Sequence, residues 1–194
     1  VQQFGISIPP SMLGVSTPTG WAGTVVDRME ERLDWLGWLA DGDDLGLSEV
    51  YDDNGLDVDG GLAHLDSLIF GVSFVSVGSG FEGEPDVMVS AHSPKSMTGT
   101  WDARSRRLSS AVFVERAGSE FHVTTYQPDE TARYVLRDGR WDVADRDRHR
   151  MGRVPVVMMP NRTRASRDGG RSEITRDIRY YCQAAARTLL GMEV

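Results

Sequence analysis

The sequence has very little cysteine: Cys182 is the only one among 194 residues. One cysteine cannot form an intrachain disulfide, so a disulfide-stapled scaffold is excluded and a reducing compartment is predicted. Cys182 lies in an apolar stretch with helical spacing, residues 180–190. We therefore predict a buried, unreactive thiol rather than a nucleophile.

Long apolar runs are also absent. No run reaches the roughly 18 apolar residues that a membrane-spanning helix needs, and the first residues lack the basic-then-apolar order of a signal peptide. The sequence predicts neither a membrane span nor a secretion signal. Because the chain begins at Val1 and stops shortly after a helical pattern, we expect it to be a piece of a longer protein.

Positive charge is scarce in the first half of the chain. Residues 1–99 contain 3 basic and 16 acidic residues, whereas residues 100–194 contain 18 basic and 13 acidic ones. The formal net charge of the whole chain is therefore -8. Such asymmetry is typical of a polar assembly surface or a nucleic-acid-facing side, although two solvated faces of unequal composition would give the same counts. An acidic total argues against tight DNA binding, which needs clustered cations.

Catalytic and metal-binding motifs are missing as well. There is no HExxH, HxH, CxxC or GxSxG pattern, and the glycine-rich segment 78–83 lacks the Lys-Ser/Thr ending of a phosphate loop. The acidic string 52–60 resembles a calcium loop, but Leu56 and Ala63 occupy positions where an EF-hand needs oxygen ligands. We interpret it as a turn followed by an acidic helix start. Four histidines lie far apart in sequence: His64, His92, His122 and His149.

Hydrophobic periodicity predicts an α+β fold. Apolar spacing of three and four predicts helices over 21–40, with Thr19 as a cap, and over 57–69, ended by Gly71. A last helix is predicted from the Ser172 region to about Leu190. An extended arm over 1–20 and an acidic loop over 41–49 complete the pattern. Residues 21–194 are predicted to form a single domain.

Between the helices the periodicity changes to two, which indicates strands. The sequential runs are joined by turn residues, with Asp138-Gly139 the clearest hairpin signal, so a mainly antiparallel meander is expected. Pro155 places the last run at a sheet edge or at a strand start. The predicted strands are 72–77, 87–91, 108–114, 121–126, 134–136, 141–144 and 154–159.

Arginine is concentrated between residues 146 and 179, where it can contact phosphates or a partner's carboxylates. Interleaved acidic residues reduce the positive field, and neither aromatic interleaving nor a recognisable nucleic-acid module is present. Contacts with another protein chain are therefore favoured over DNA binding. The predicted contact residues are Arg146, Arg148, Arg150, Arg153, Arg162, Arg164, Arg167 and Arg171, and the same stretch continues to Arg176 and Arg179.

Several strings, in order along nearly the whole chain, resemble portal proteins of long-tailed bacteriophages. They are SMLGV at 11–15, VVDRMEERL at 25–33, NGLD at 54–57, LAHLDSLIFGVSFV at 62–75, SAHSP at 90–94, GRVPVV at 152–157, PNR at 160–162 and GRSEIT at 170–175. Because the strings occur in the same order along nearly the whole chain, the resemblance covers the chain as a whole.

The resemblance implies a non-catalytic, cofactor-free subunit of a ring of about twelve copies at one capsid vertex. In that family the ring admits double-stranded DNA, contacts the capsid or scaffold protein, docks the packaging motor and joins the tail connector. The implied location is the virion, with assembly in the host cytoplasm. This chain would supply the N-terminal wing, with 172–191 leading toward the stem, so channel-lining and motor-docking residues are not carried over.

Three hypotheses follow from the sequence. In the leading one, the acidic first half and the arginine-rich second half meet across neighbouring subunits, because a ring uses contacts between two different surfaces. The second is a metal-dependent hydrolase or nuclease, which would need groups such as Asp52, Asp53, His64 and His92 to converge. The third is a DNA-binding module centred on residues 146–179.

Overall fold

The computed structural model describes residues 19–164 and 169–192. Within these ranges the chain has an α+β fold with four helices and eight strands, as the periodicity predicts. The predicted arm lies almost wholly outside the described residues. The elements are α1 Trp21–Glu30, α2 Leu47–Asp53, α3 Leu56–Phe70, β1 Val72–Ser79, β2 Val87–His92, β3 Met97–Asp102, β4 Arg107–Ala117, β5 Glu120–Tyr126, β6 Thr131–Arg137, β7 Arg140–Asp147, β8 Val156–Pro160 and α4 Arg176–Met192.

The first helix is shorter than predicted. It ends at Glu30 rather than Ala40, and beyond this end Leu36 and Leu39 remain almost fully exposed, so a longer helix would bury little of them. Gly37 also adopts a φ of 112°, outside the helical region. The N-cap residue of α1 is Gly20 and not the predicted Thr19.

The predicted acidic loop contains the start of a helix that the sequence analysis missed. Helix α2 begins at Leu47, where Asp44 Oδ2 accepts a hydrogen bond from the Ser48 backbone N–H at 3.0 Å. An aspartate in this position satisfies an N–H group that the first helical turn leaves without a partner. Only seven residues follow, too few to show the period of an amphipathic helix.

Helix α3 agrees with its prediction. It ends where Gly71, at a φ of 90°, donates its N–H to the Ser67 carbonyl at 2.8 Å. Its buried face includes Leu56, Ala63 and Leu68. This face packs on the first sheet, so the helix covers β1 and β2.

The strands form two antiparallel sheets rather than one meander. The first has the order β2-β1-β8 and the second the order β3-β4-β5-β6-β7. Strand β3 was not predicted, because Met97–Asp102 contains two threonines and a glycine and has little apolar alternation. Strand β8 lies at an edge, as Pro155 predicted. The Asp138-Gly139 hairpin is also confirmed, since both residues have positive φ, 50° and 74°.

Two apolar cores hold three layers together. Alternate residues of β1 point to opposite faces, so Phe74 enters one core and Val75 the other. Between the sheets, Phe74 packs with Met97, Leu108, Ala111, Val154 and Val156. On the other face, Val75 and Val89 pack with Leu56 and Ala63 of α3. The first sheet is therefore the middle layer, between the helices and the second sheet.

Candidate functional site

The predicted contact arginines fall into two groups in the structure. Arg146 is the second-to-last residue of β7 and is followed by Arg148, Arg150 and Arg153 in the connection to β8. Arg162, Arg164 and Arg171 lie between the end of β8 and the start of α4, and Arg167 lies outside the described residues. The stretch that is continuous in sequence is thus divided by strand β8.

The first group lies around the start of β6. Glu130 has its two carboxylate oxygens 3.6 Å from Arg146 Nε and 3.2 Å from Arg148 Nε. The neighbouring loop is held by Asp129, whose carbonyl accepts from the Arg150 N–H at 3.2 Å. Both ion pairs are solvent-exposed and contribute about 0–1 kcal/mol each. The arginines are therefore oriented by Glu130 without being removed from solvent.

The second group belongs to a buried polar junction. Glu173 is 7% exposed, and its Oε1 accepts hydrogen bonds from Asn161 Nδ2 at 2.8 Å and from Arg162 Nε. Burial alone would raise the pKa of Glu173. The hydrogen bonds from Asn161 and Arg162, with the charges of Arg162 and Arg171, outweigh burial, so the pKa of Glu173 lies below its ordinary value.

Backbone bonds at the same junction fix where α4 starts. The Asn161 N–H donates to the Gly71 carbonyl at 2.9 Å, and the Arg171 N–H donates to the Asn161 carbonyl at 2.7 Å. The Glu173 N–H donates to the Leu68 carbonyl at 2.9 Å. Residues 172–175 are thereby held against the end of α3, which is why α4 begins at Arg176 and not at Ser172.

The junction is also packed too closely for a side chain at Gly170. A Cβ there would lie 1.9 Å from the Gly71 carbonyl oxygen. Such a distance is far below van der Waals contact, so glycine is required by the close approach of two backbones. The junction therefore couples the ends of α3 and β8 to the first turn of α4.

A cleft opens beside this junction. It has a volume of about 710 Å³ and lies where α3 ends and α4 begins. Phe70 and Ile174 are among its apolar lining residues, and three arginines also line it: Arg171, Arg176 and Arg179. The arrangement is suited to a ligand or partner segment that carries negative charge next to an apolar side chain.

Comparison with known proteins decides the family. Residues 16–190 match the family model described as "Phage portal protein, SPP1 Gp6-like". The chain belongs to this portal protein family. It is similar to the portal protein of Mycobacterium phage D29, with 31% identity over 204 residues, and to that of Mycobacterium phage L5, with 32% over 205. Both matches cover 99% of this chain and 42% of the relative.

The portal resemblance predicted from the sequence is therefore confirmed, and the chain spans less than half the length of these two relatives. Within the described residues, no helix is long and apolar enough to cross a membrane. Cys182, which was predicted to be buried, is only half-buried on α4 of this portal-family chain.

The structure does not bring the hydrolase candidates together. Asp53 lines a cleft between α2, α3 and β2, whereas His64 lines a different one that includes Met159. His92, at the end of β2, lines neither of these two. Over residues 19–164 and 169–192, no group of three or more His, Cys, Asp or Glu side chains is arranged to hold a metal. The hydrolase hypothesis is thus without support in this portal-family chain.

His92 instead joins a polar cluster between the two sheets. Its Nε2 lies 2.7 Å from Ser76 Oγ, and its ring centroid is 4.5 Å from that of Phe113 on β4. Burial lowers the pKa of His92, although the carboxylate of Glu115 opposes the shift. Burial likewise raises the pKa of Tyr126. A neutral imidazole therefore fills this position at neutral pH.

Asn54 is a structural residue that the sequence analysis interpreted only as part of a turn. Its Nδ2 donates to the carbonyls of Val50 and Val87, both at 2.8 Å, and its Oδ1 accepts from the Val89 N–H at 2.8 Å. These bonds join the α2–α3 turn to strand β2. No local sequence signal distinguishes this role from that of an ordinary turn asparagine, because its two partners on β2 are 33 and 35 residues away.

Proposed function

We propose that this chain is part of a structural subunit of a phage or prophage portal. In the proposed assembly, copies form a ring at one capsid vertex through which double-stranded DNA is packaged and released. The observation that carries the proposal is the similarity along 99% of the chain to two proteins named as portal proteins. The match to the portal family model over residues 16–190 supports the same role.

The chain's part in that assembly is proposed to be the wing, with residues 21–194 as one domain and 172–191 directed toward the stem. The junction of Asn161 and Glu173 supports this, because it fixes the start of α4 relative to α3 and to the end of β8 in the first sheet. Contacts with the capsid or scaffold protein are assigned to the wing. The packaging motor and the head–tail connector would contact other parts of the subunit.

The role is proposed to be non-catalytic. A channel that lets DNA slide should make few cationic contacts, because each phosphate contact adds salt-dependent affinity. The formal net charge of -8 is in keeping with that requirement. Ring contacts would instead use the acidic first half and the arginine-rich second half, two surfaces that can meet head to tail.

The test is the mass of the complete gene product that contains this chain. Mass photometry under assembly conditions is expected to show one closed oligomer of about twelve subunits, and negative-stain images should show rings. In infected cells, immunogold labelling of the gene product should mark a single vertex of each capsid. A protein that stays monomeric at every concentration and salt condition would contradict the proposal.

A further inference from the structure

The cleft at the start of α4 is lined by three arginines and one carboxylate, and of the three arginines only Arg171 acts on the buried Glu173. Arg176 and Arg179 both lie in the first turn of α4, where the helix dipole disfavours cations. Among the described residues that line the cleft, Asp177 is the one carboxylate, and none of the three arginines there is in an ion pair with another described residue. An incoming negative charge would lower the cost of this arrangement.

The cleft also offers apolar surface. Phe70 is 39% exposed although it belongs to the predominantly apolar helix α3. It shares the cleft with Ile174, and Lys95 Nζ lies 5.1 Å from its ring centroid on another side. A partner that fits must therefore combine an apolar side chain with carboxylates.

A segment of this same chain has that combination. The leucine–aspartate loop, defined as residues 36–46, is the second part of the connection from α1 to α2. It exposes three leucines: Leu36 at 91%, Leu39 at 103% and Leu45 at 82%. Asp41 and Asp43 are exposed next to Leu45. Leu45 itself adopts a φ of 56°, a conformation that few non-glycine residues adopt. Asp44 holds the adjacent turn through Ser48, so the loop presents Leu45 outward.

We propose that the leucine–aspartate loop of one copy docks into the α4 cleft of a neighbouring copy. Leu45 would cover Phe70 and Ile174, while Asp41 and Asp43 approach the arginines of the cleft. The inference rests on the proposed ring, and it names the surfaces that meet. The occupant is a second copy because the charges and the apolar groups are complementary, and because no residue of the loop lines the cleft of its own chain.

The geometry of this contact is head to tail. Loop and cleft are different surfaces, so a copy that offers its loop to one neighbour still has its cleft available for another. Such contacts close into a ring when the rotation between copies allows it. The contact would also pair the two oppositely charged halves of the sequence, since the loop lies in the acidic half and the cleft arginines lie in the basic half.

A charge swap in the complete gene product tests the contact. Asp41→Arg with Asp43→Arg, and separately Arg176→Glu with Arg179→Glu, should each weaken self-association about tenfold or more, because like charges then face each other. Combining all four substitutions should return association to within about threefold of the parent. Arg104→Glu with Arg106→Glu, on the exposed turn between β3 and β4, is the matched control and should change association less than about threefold.

Disulfide capture provides the second measurement, in a Cys182→Ser background. Leu45→Cys with Phe70→Cys in one chain should give a ladder of covalent oligomers on oxidation, because each copy has one loop and one cleft. Leu45→Cys with Phe81→Cys, an exposed position on the β1–β2 connection, is the control and should not give a ladder. A cross-linked monomer in place of the ladder would overturn the inference by showing that the loop closes on its own chain.

The outcomes separate this inference from the proposed function. A parent protein that forms rings while both charge-reversal variants assemble equally well would overturn the loop contact and leave the portal role intact. A parent that never assembles would overturn both. Loss of DNA retention in the Arg176→Glu, Arg179→Glu variant with unchanged assembly would show a nucleic-acid surface instead, and the loop contact would be wrong.

Discussion

Removing the buried carboxylate of Glu173 should destabilise the start of α4 more than any exposed acidic substitution. In Glu173→Ala, Asn161 Nδ2 and Arg162 Nε lose a common acceptor that is 7% exposed. Hydrogen bonds to a charged group contribute about 1.5–3 kcal/mol each. The loss should fall well below the sum, because Arg162 is 56% exposed and regains water and because Asn161 still donates to the Arg171 carbonyl. We expect a loss of about 2 kcal/mol in the free energy of unfolding.

The effect should depend on pH with a defined sign. The pKa of Glu173 is lower in the folded protein than in the unfolded chain, so its ionised form stabilises the fold. That stabilisation is complete above the unfolded pKa of about 4.3 and is lost as pH falls through the folded value. The difference between parent and Glu173→Ala should therefore be full at pH 7 and should shrink progressively below about pH 4.

Urea unfolding followed by circular dichroism measures the free energy, and hydrogen exchange of the α4 amides localises it. Glu173→Gln keeps an acceptor without the charge and should lose about half as much as Glu173→Ala. Glu82→Ala, on the exposed β1–β2 connection, should change stability by less than about 0.5 kcal/mol. If Glu173→Ala unfolded within about 0.5 kcal/mol of the parent, or differed equally at pH 3 and pH 7, the explanation of the junction would be refuted.

Three further substitutions test other contacts. Asn54→Ala should cost about 2 kcal/mol in urea unfolding, because the Val89 N–H loses its acceptor; an unchanged midpoint would contradict this role. Because the pKa of His92 is lowered in the folded protein, the free energy of unfolding should decline as pH falls below about 6.5, where the unfolded chain takes up a proton. His92→Gln should make the free energy of unfolding less dependent on pH in this range, and an unchanged pH dependence would contradict the burial of a neutral His92. Gly170→Ala should cost at least about 2 kcal/mol, whereas Gly78→Ala, whose Cβ would meet nothing within 4 Å, should not destabilise; equal thermal midpoints for the two would disprove the close approach.

Elements with a sustained apolar period were predictable because burial and periodicity agree in them. Helix α3 has buried residues on one side, and the two residues of the Asp138-Gly139 turn have the positive φ that the hairpin requires. The same logic failed after Glu30. Leu33, Leu36 and Leu39 have helical spacing, but spacing carries no information about whether another element will cover them. Among the described residues, Leu33 is partly covered, whereas Leu36 and Leu39 stay almost fully exposed.

The candidate site was only partly accessible to sequence reasoning. The arginine stretch and the charge asymmetry are visible in the sequence, but Arg146 and Arg148 are oriented by Glu130, whereas Arg162 is bound to Glu173. Ion pairs between residues that are distant in sequence depend on how the strands are aligned, and the local sequence pattern does not encode that alignment. The sequence analysis consequently treated the arginine stretch as one surface, whereas the fold divides it into two groups.

The sequence by itself determined the α+β class, the portal family and the positions of most strands. Each of these follows from local periodicity, turn chemistry or ordered similarity along the chain. The tertiary structure alone decided that there are two sheets, that α4 starts at a junction built by Asn161, Gly170 and Glu173, and that three arginines share a cleft with Phe70. These features depend on backbones and side chains from distant segments meeting at a few ångströms, so only the folded chain brings them together.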